Sequence, residues 1–299
     1  MVIGMRIHRL LRNLLSWFIT IVVAFVVVFV TKAFAFEFVR IDGNSMLDTL
    51  QSGELLLVTK LDYGTIWLTT PWQSLYEQES ARRLNVGFGD IARGDIVIVR
   101  YPGSGTNDFV KRIVGLPGDV IALHDGFVYV NGERLDESYI NDAYRAMDAE
   151  WLNELRSLGL QDSMSDDVAN MCEVRIPRSG DAITFGLVGS SLESISIYVN
   201  GDLYPWWDFG SSMHDADGNE LRVTSYGVFL NNNEVDIYDA QQSEQLCKQV
   251  FYLDEDLYFV MGDHRNDSAD SRVVGPVGRS YIVGHAQQVV FPFSEWKGL

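Results

Sequence analysis

The run from Leu14 to Val30, LLSWFITIVVAFVVVFV, constrains this chain more than any other segment, because no charged residue occurs between Arg12 and Lys32. At helical rise the uncharged stretch covers roughly 28 Å, just enough to cross the hydrocarbon core of a bilayer. The sequence therefore predicts a transmembrane helix over residues 14–34. Arg6, Arg9 and Arg12 precede it, and the positive-inside rule keeps such a cluster, with residues 1–13, in the cytoplasm. Everything from residue 35 onward then lies on the far side of the membrane. A second reading starts from Ala33-Phe34-Ala35, a small-x-small pattern of the kind cut after secretory signals. On that reading residues 1–35 are a removed signal and the remainder is a secreted β-rich binding protein. The apolar core is longer than the 7 to 15 residues usual for a cleaved signal, which favours the retained anchor.

Charge narrows the choice of partners. The 299-residue chain has a formal net charge of −18, and residues 141–250 carry 19 acidic against 6 basic side chains. An acidic surface repels phosphate backbones, so nucleic acid is excluded as a partner. Only Cys172 and Cys247 are present, far apart and without a CxxC pair, and they could form one disulfide outside the cytoplasm. The five histidines are scattered and no HExxH occurs, so neither a metal site nor a cofactor is expected.

Beyond the anchor the hydrophobic pattern is that of strands. Ile96–Val99 (IVIV), Val120–Leu123 (VIAL), Phe127–Val130 (FVYV) and Leu257–Met261 (LYFVM) are short runs rich in β-branched and aromatic residues, bounded by turn signals such as Arg93-Gly94-Asp95 and His124-Asp125-Gly126. Asn131-Gly132 and Asn200-Gly201 each follow such a run and supply the two positive-φ residues of a type I′ hairpin turn. Further strands are expected at 174–176, 194–199 and 221–230, with a helical or loop-like stretch near 139–160. The last runs, at 281–283 and 289–291, should return to the first β unit. The fold class is thus mainly β: a transmembrane helix, then an antiparallel β core made of 35–139 and 251–299, interrupted by an acidic, β-rich inserted domain at 140–250.

Three clusters carry candidate chemistry. Ser45 lies in Gly43-Asn44-Ser45-Met46-Leu47-Asp48-Thr49-Leu50; its hydroxyl needs a base to become a nucleophile, and its backbone N–H could help hold an oxyanion. Serine in a loop before a strand is commonly structural. Lys111 sits in Asp108-Phe109-Val110-Lys111-Arg112-Ile113-Val114, where alternation puts Phe109, Lys111 and Ile113 on one face. At an ordinary pKa near 10.4, neutralising the amine at pH 7 costs roughly 4.6 kcal/mol, so an exposed lysine is no base and a desolvated one can be. An edge lysine with its head in water is the alternative. The third cluster, Met261 to Arg272 (MGDHRNDSADSR), reads either as a solvated loop or as a buried Arg/Asp network with Ser268 near the lysine amine. His264 in this cluster keeps a Ser/His/Asp arrangement open.

The anchor, SM-x-x-TL, RGDIV-x-V-x-YP, VKRIVGLPGD and MGDHRNDSADSR stand in the order found in bacterial type I signal peptidases, and the chain resembles a long-insert member of that family. The resemblance runs from the anchor to about Leu135 and again from Tyr252 to Phe293. It implies a membrane-anchored serine endopeptidase that removes signal peptides from exported preproteins, with Ser45 as nucleophile, Lys111 as general base and Ser268 orienting the lysine. Asp263, Arg265, Asp270 and Arg272 would form the supporting ion pairs. Phe38, Met46, Leu50 and Val110 are expected to wall the substrate pocket. Preprotein signal peptides and the lipid bilayer are the implied partners. The sequence departs from the family pattern at Asp48, where proline is usual, and at His264, Asn266 and Asp267. Gly43 also offers no hydroxyl to an oxyanion hole. A homologue that binds leader peptides without cutting them is the alternative these departures suggest.

Overall fold

The computed structural model describes residues 2–63, 65–68, 82–85, 87–101, 107–145, 170–187, 195–205, 211–224 and 227–299. A helix spans Val2–Phe34. Its side chains are described from residue 13 to 28 and at Thr31, and all of these are exposed. Among the described residues no helix is long and apolar enough to cross a membrane. The expected span over 14–34 extends onto positions 29, 30 and 32–34, whose side chains lie outside the described set.

After the helix the chain is mainly antiparallel β. The central sheet has the strand order Phe36–Arg40, Leu55–Thr59, Ile282–Phe291, Ile96–Val99, Phe109–Gly115, Leu257–Met261 and Val277–Gly278, with Lys297–Gly298 added to Ile282–Phe291. Strands from the end of the chain therefore sit between strands from its beginning. The run IVIV is wholly apolar because both of its faces are covered. Ile96 and Ile98 join Met46, Leu50, Leu56 and Val110 in one cluster. Val97 and Val99 join Ile113, Val260 and Ile282 in another, as a period of two requires.

A four-stranded sheet contains Met171–Arg175, Val120–His124, Phe127–Val130 and Glu133–Arg134, and a third sheet is built from strands between Ala182 and Leu253. Met171–Arg175 comes from the expected insertion, yet it pairs with Val120–His124. One hydrophobic cluster runs through both sheets, joining Val114, Ile121 and Val128 to Ile183, Phe185 and Phe251 and on to Leu257 and Phe259. Both Asn-Gly signals form tight hairpins. Asn131 and Gly132 have φ of 53° and 82°, and Asn200 and Gly201 have 51° and 92°. The helical or loop-like stretch expected near 139–160 shows a 3-10 turn at Asp142–Tyr144, and 146–160 lies outside the described residues. An unexpected helix, Ala240–Cys247, is capped by Asp239, which accepts from the N–H groups of Gln241 and Gln242. Cys172 and Cys247 are both free thiols.

Candidate active site

Ser45 stands on the connection between the first two strands of the central sheet. Main-chain hydrogen bonds from Ile41 to Glu54 and from Gly53 back to Ile41 close the base of this loop, each at 2.9 Å. Met46 and Leu50 bury their side chains in the core beneath it. With its neighbours anchored in this way, Ser45 remains only partly exposed. Gly43, two residues earlier, takes φ of +109°, a conformation that suits glycine.

Lys111 is 1% exposed in the strand Phe109–Gly115, opposite Val97. Its Nζ donates to Ser45 Oγ at 2.9 Å. Burial pushes the ammonium down from its ordinary value to about 8, partly countered by Asp270, Asp263 and Asp267, while Arg272 lowers it further. The edge-lysine alternative is thereby excluded. His264 does not approach the serine hydroxyl as a triad base would. Its Nδ1 lies 3.1 Å from the Asn44 carbonyl oxygen, and a carbonyl only accepts, so Nδ1 carries the proton.

The loop after Met261 is a buried ionic network. Asp263 accepts two hydrogen bonds from Arg112, Nε to Oδ1 at 2.9 Å and Nη2 to Oδ2 at 2.7 Å, and one from Thr49 at 2.5 Å. Asp270 accepts from Arg272 Nε and Nη2 and from the Gly262 N–H. Burial raises the Asp270 carboxyl, but the Arg272 ion pair and hydrogen bonds outweigh this and hold it below the usual range. Arg265 is fully buried, donating to the Gly262 carbonyl at 3.0 Å and to Glu137. Glu137 also accepts from Arg145 Nη1 at 3.0 Å.

Ser268 is buried, but the hydrogen bond expected between it and the lysine amine is not made. Its Oγ has no hydrogen-bond partner among the described residues, and its side chain lies against Gly262. A Cβ at position 262 would collide with both the Ser268 side chain and the Ser45 carbonyl. Of the expected pocket residues, Met46, Leu50 and Val110 lie in the core cluster, while Phe38 is 61% exposed on the edge strand. The sequence reading missed Arg112, Thr49, Glu137, Arg145 and Gly262. Arg112 stands next to Lys111, and its alternation onto the opposite face was the available signal; Glu137 and Arg145 belong to a segment with no periodic pattern.

The site thus sets a buried lysine amine against the hydroxyl of a half-exposed serine on an antiparallel β scaffold. The chain belongs to the Signal peptidase, peptidase S26 family, whose pattern matches residues 14–291. It is similar to Signal peptidase IB of Staphylococcus aureus (strain N315), with 32% identity over 130 residues, 44% of this chain and 55% of that protein. It is also similar to Signal peptidase I of Bacillus caldolyticus, with 36% identity over 124 residues, 42% of this chain and 52% of that protein. The chain spans about half the length of the curated relatives it matches. A crystal structure of a signal peptidase I from Enterococcus faecalis V583 has 18% identity, covering 66% of this chain and 96% of that one, at a TM-score of 0.27, too low for the likeness to bear on the fold.

Proposed function

We propose that this chain is a serine endopeptidase that removes N-terminal signal peptides from exported preproteins, anchored in the bacterial cytoplasmic membrane by its N-terminal helix with residues 1–13 in the cytoplasm. The observation that carries the reading is the 2.9 Å contact between Ser45 Oγ and an Nζ that burial has brought down to about 8. Ser45 Oγ attacks the scissile carbonyl and its proton passes to neutral Lys111. The tetrahedral oxyanion is stabilised by backbone N–H donors, that of Ser45 among them. Collapse expels the amine of the mature protein, which takes the proton from Lys111. An ester between Ser45 and the signal peptide remains, and water deprotonated by Lys111 hydrolyses it. The nucleophile and base are both side chains, so the reaction needs no cofactor. Asp263, Arg265, Asp270 and Arg272 hold the loop that faces Lys111. Phe38, exposed on the edge strand, offers apolar surface to the substrate, while Met46, Leu50 and Val110 lie in the core that supports the Ser45 loop. Anchoring raises the effective concentration of a membrane-embedded leader at the site.

The test is purified full-length protein incubated with a preprotein and read on a gel. Cleavage is expected, and Ser45→Ala and Lys111→Arg should each abolish it, because one lacks the hydroxyl and the other cannot be deprotonated. Substantial turnover in Ser45→Ala would place the nucleophile elsewhere.

A further inference from the structure

We infer that His264 is a positioning residue that aims the Ser45 N–H at the oxyanion, and that residues 137–145 serve as a strap holding His264 in place. The inference rests on the peptidase reading above. His264 grips two successive carbonyls of the nucleophile loop: Nδ1–H donates to the Asn44 oxygen at 3.1 Å, and the His264 main-chain N–H donates to the Ser45 oxygen at 3.0 Å. The Asn44–Ser45 peptide is trans, so its C=O and N–H point in opposite directions across one rigid plane. The Asn44 oxygen also accepts from the Leu47 N–H at 3.0 Å, and drawing it toward these two donors turns the Ser45 N–H away from them. That N–H donates no hydrogen bond among the described residues, which leaves it free for a developing oxyanion. Gly43 supplies no side-chain donor, so the aim of this N–H matters more here than where a hydroxyl assists it.

The ring of His264 is itself held. Its Nδ1 is 3.8 Å from Asp267 Oδ2, beyond hydrogen-bond reach, whereas the Tyr144 ring packs on it with centroids 4.0 Å apart. Tyr144 belongs to the 3-10 turn Asp142–Tyr144, which is tied at both ends. Asn141 Nδ2 donates to Asp48 Oδ2 at 3.2 Å, reaching the nucleophile loop directly. Arg145 and Arg265 share the buried Glu137 carboxylate. Asp48 in the Ser45 loop and His264 are both met by the same segment.

The experiment compares the full chain with His264→Phe, His264→Ala and His264→Asn in preprotein cleavage, with thermal unfolding measured for each. Phenylalanine keeps a ring for Tyr144 but cannot donate, and the asparagine amide can donate to the Asn44 oxygen. His264→Phe and His264→Ala should lose on the order of 10- to 100-fold in kcat, part of the effect of losing an oxyanion donor, with KM within about twofold. His264→Asn should recover to within about threefold of wild type with an unchanged pH midpoint, which a lost general base could not do. Full activity in His264→Phe, a loss confined to KM, or an Asn variant as impaired as the Phe variant would each overturn the inference while leaving the Ser/Lys reading intact. Absence of cleavage by the wild type would overturn both. Should a variant fail to fold, 15N NMR of the wild-type imidazole decides: a proton on Nδ1 is expected, and an imidazole whose Nδ1 bears no proton refutes the inference.

Discussion

The buried position of Lys111 has a consequence that can be measured by titrating the activity. With its ammonium near 8, about one molecule in ten holds the neutral amine at pH 7; at an ordinary value near 10.4 the fraction would be about one in two to three thousand. Burial thus raises the competent fraction roughly 250-fold, equivalent to about 3 kcal/mol at 1.4 kcal/mol per tenfold. The free-enzyme group appears in kcat/KM. With a preprotein that has no group of its own titrating between pH 6 and 10, kcat/KM should rise about tenfold per pH unit below 8 and level off above about 9. The same shift makes a stability prediction of definite sign. The folded lysine releases its proton near 8 and the unfolded one near 10.4, so between these values the unfolded chain binds more protons and stability rises with pH, by up to about 3 kcal/mol from this group. A kcat/KM midpoint near 10.4 would show that the lysine is not desolvated. One near 6.5, lost on replacing His264 by Asn, would transfer the role of base to the histidine.

Three other outcomes follow from the packing. Glu137→Gln leaves Arg145 and Arg265 sharing a neutral amide and should destabilise the protein by about 3 to 5 kcal/mol in chemical denaturation; a loss below about 1 kcal/mol would mean that the arginines find other partners. Deleting 140–250 should abolish cooperative unfolding, because Ile183, Phe185 and Met171 share a core with Val114, Ile121 and Phe259, and a deletion variant with a sharp transition and retained cleavage would show that the remaining half closes its own core. Finally, the Ala35 carbonyl accepts from the Lys60 N–H at 2.8 Å, and Phe36–Arg40 is paired in the sheet, which holds the bond after Ala35 away from the Ser45 of its own molecule. Concentrated enzyme in detergent should nevertheless cut a second copy slowly after Ala35, in a concentration-dependent way abolished by Ser45→Ala; an intact N-terminus by mass analysis beside active preprotein cleavage would refute this.

Local chemistry made much of this protein legible in its sequence. The hairpins at Asn131-Gly132 and Asn200-Gly201 were readable because few residues other than asparagine and glycine take two successive positive φ values cheaply. The hairpin at Asn231-Asn232, with φ of 50° and 64°, is not legible in the same way, because it lacks the glycine that makes the signal specific. Runs such as IVIV and LYFVM marked buried strands, and Ser45, Lys111 and the acidic and basic side chains from Asp263 to Arg272 stood out by residue type and order. Tertiary structure alone decided which charges meet. Arg112 on Asp263, Arg265 on Glu137 and Asn141 on Asp48 join positions separated by 151, 128 and 93 residues, and no local pattern encodes a pairing at that range. It also decided that Lys111 is buried and faces Ser45, that the Ser268 hydroxyl has no hydrogen-bond partner among the described residues, and that His264 contacts the main chain at Asn44 and Ser45. Sequence patterns report the energetics of neighbours along the chain, whereas desolvation and long-range ion pairing depend on what the folded sheets bring together in space.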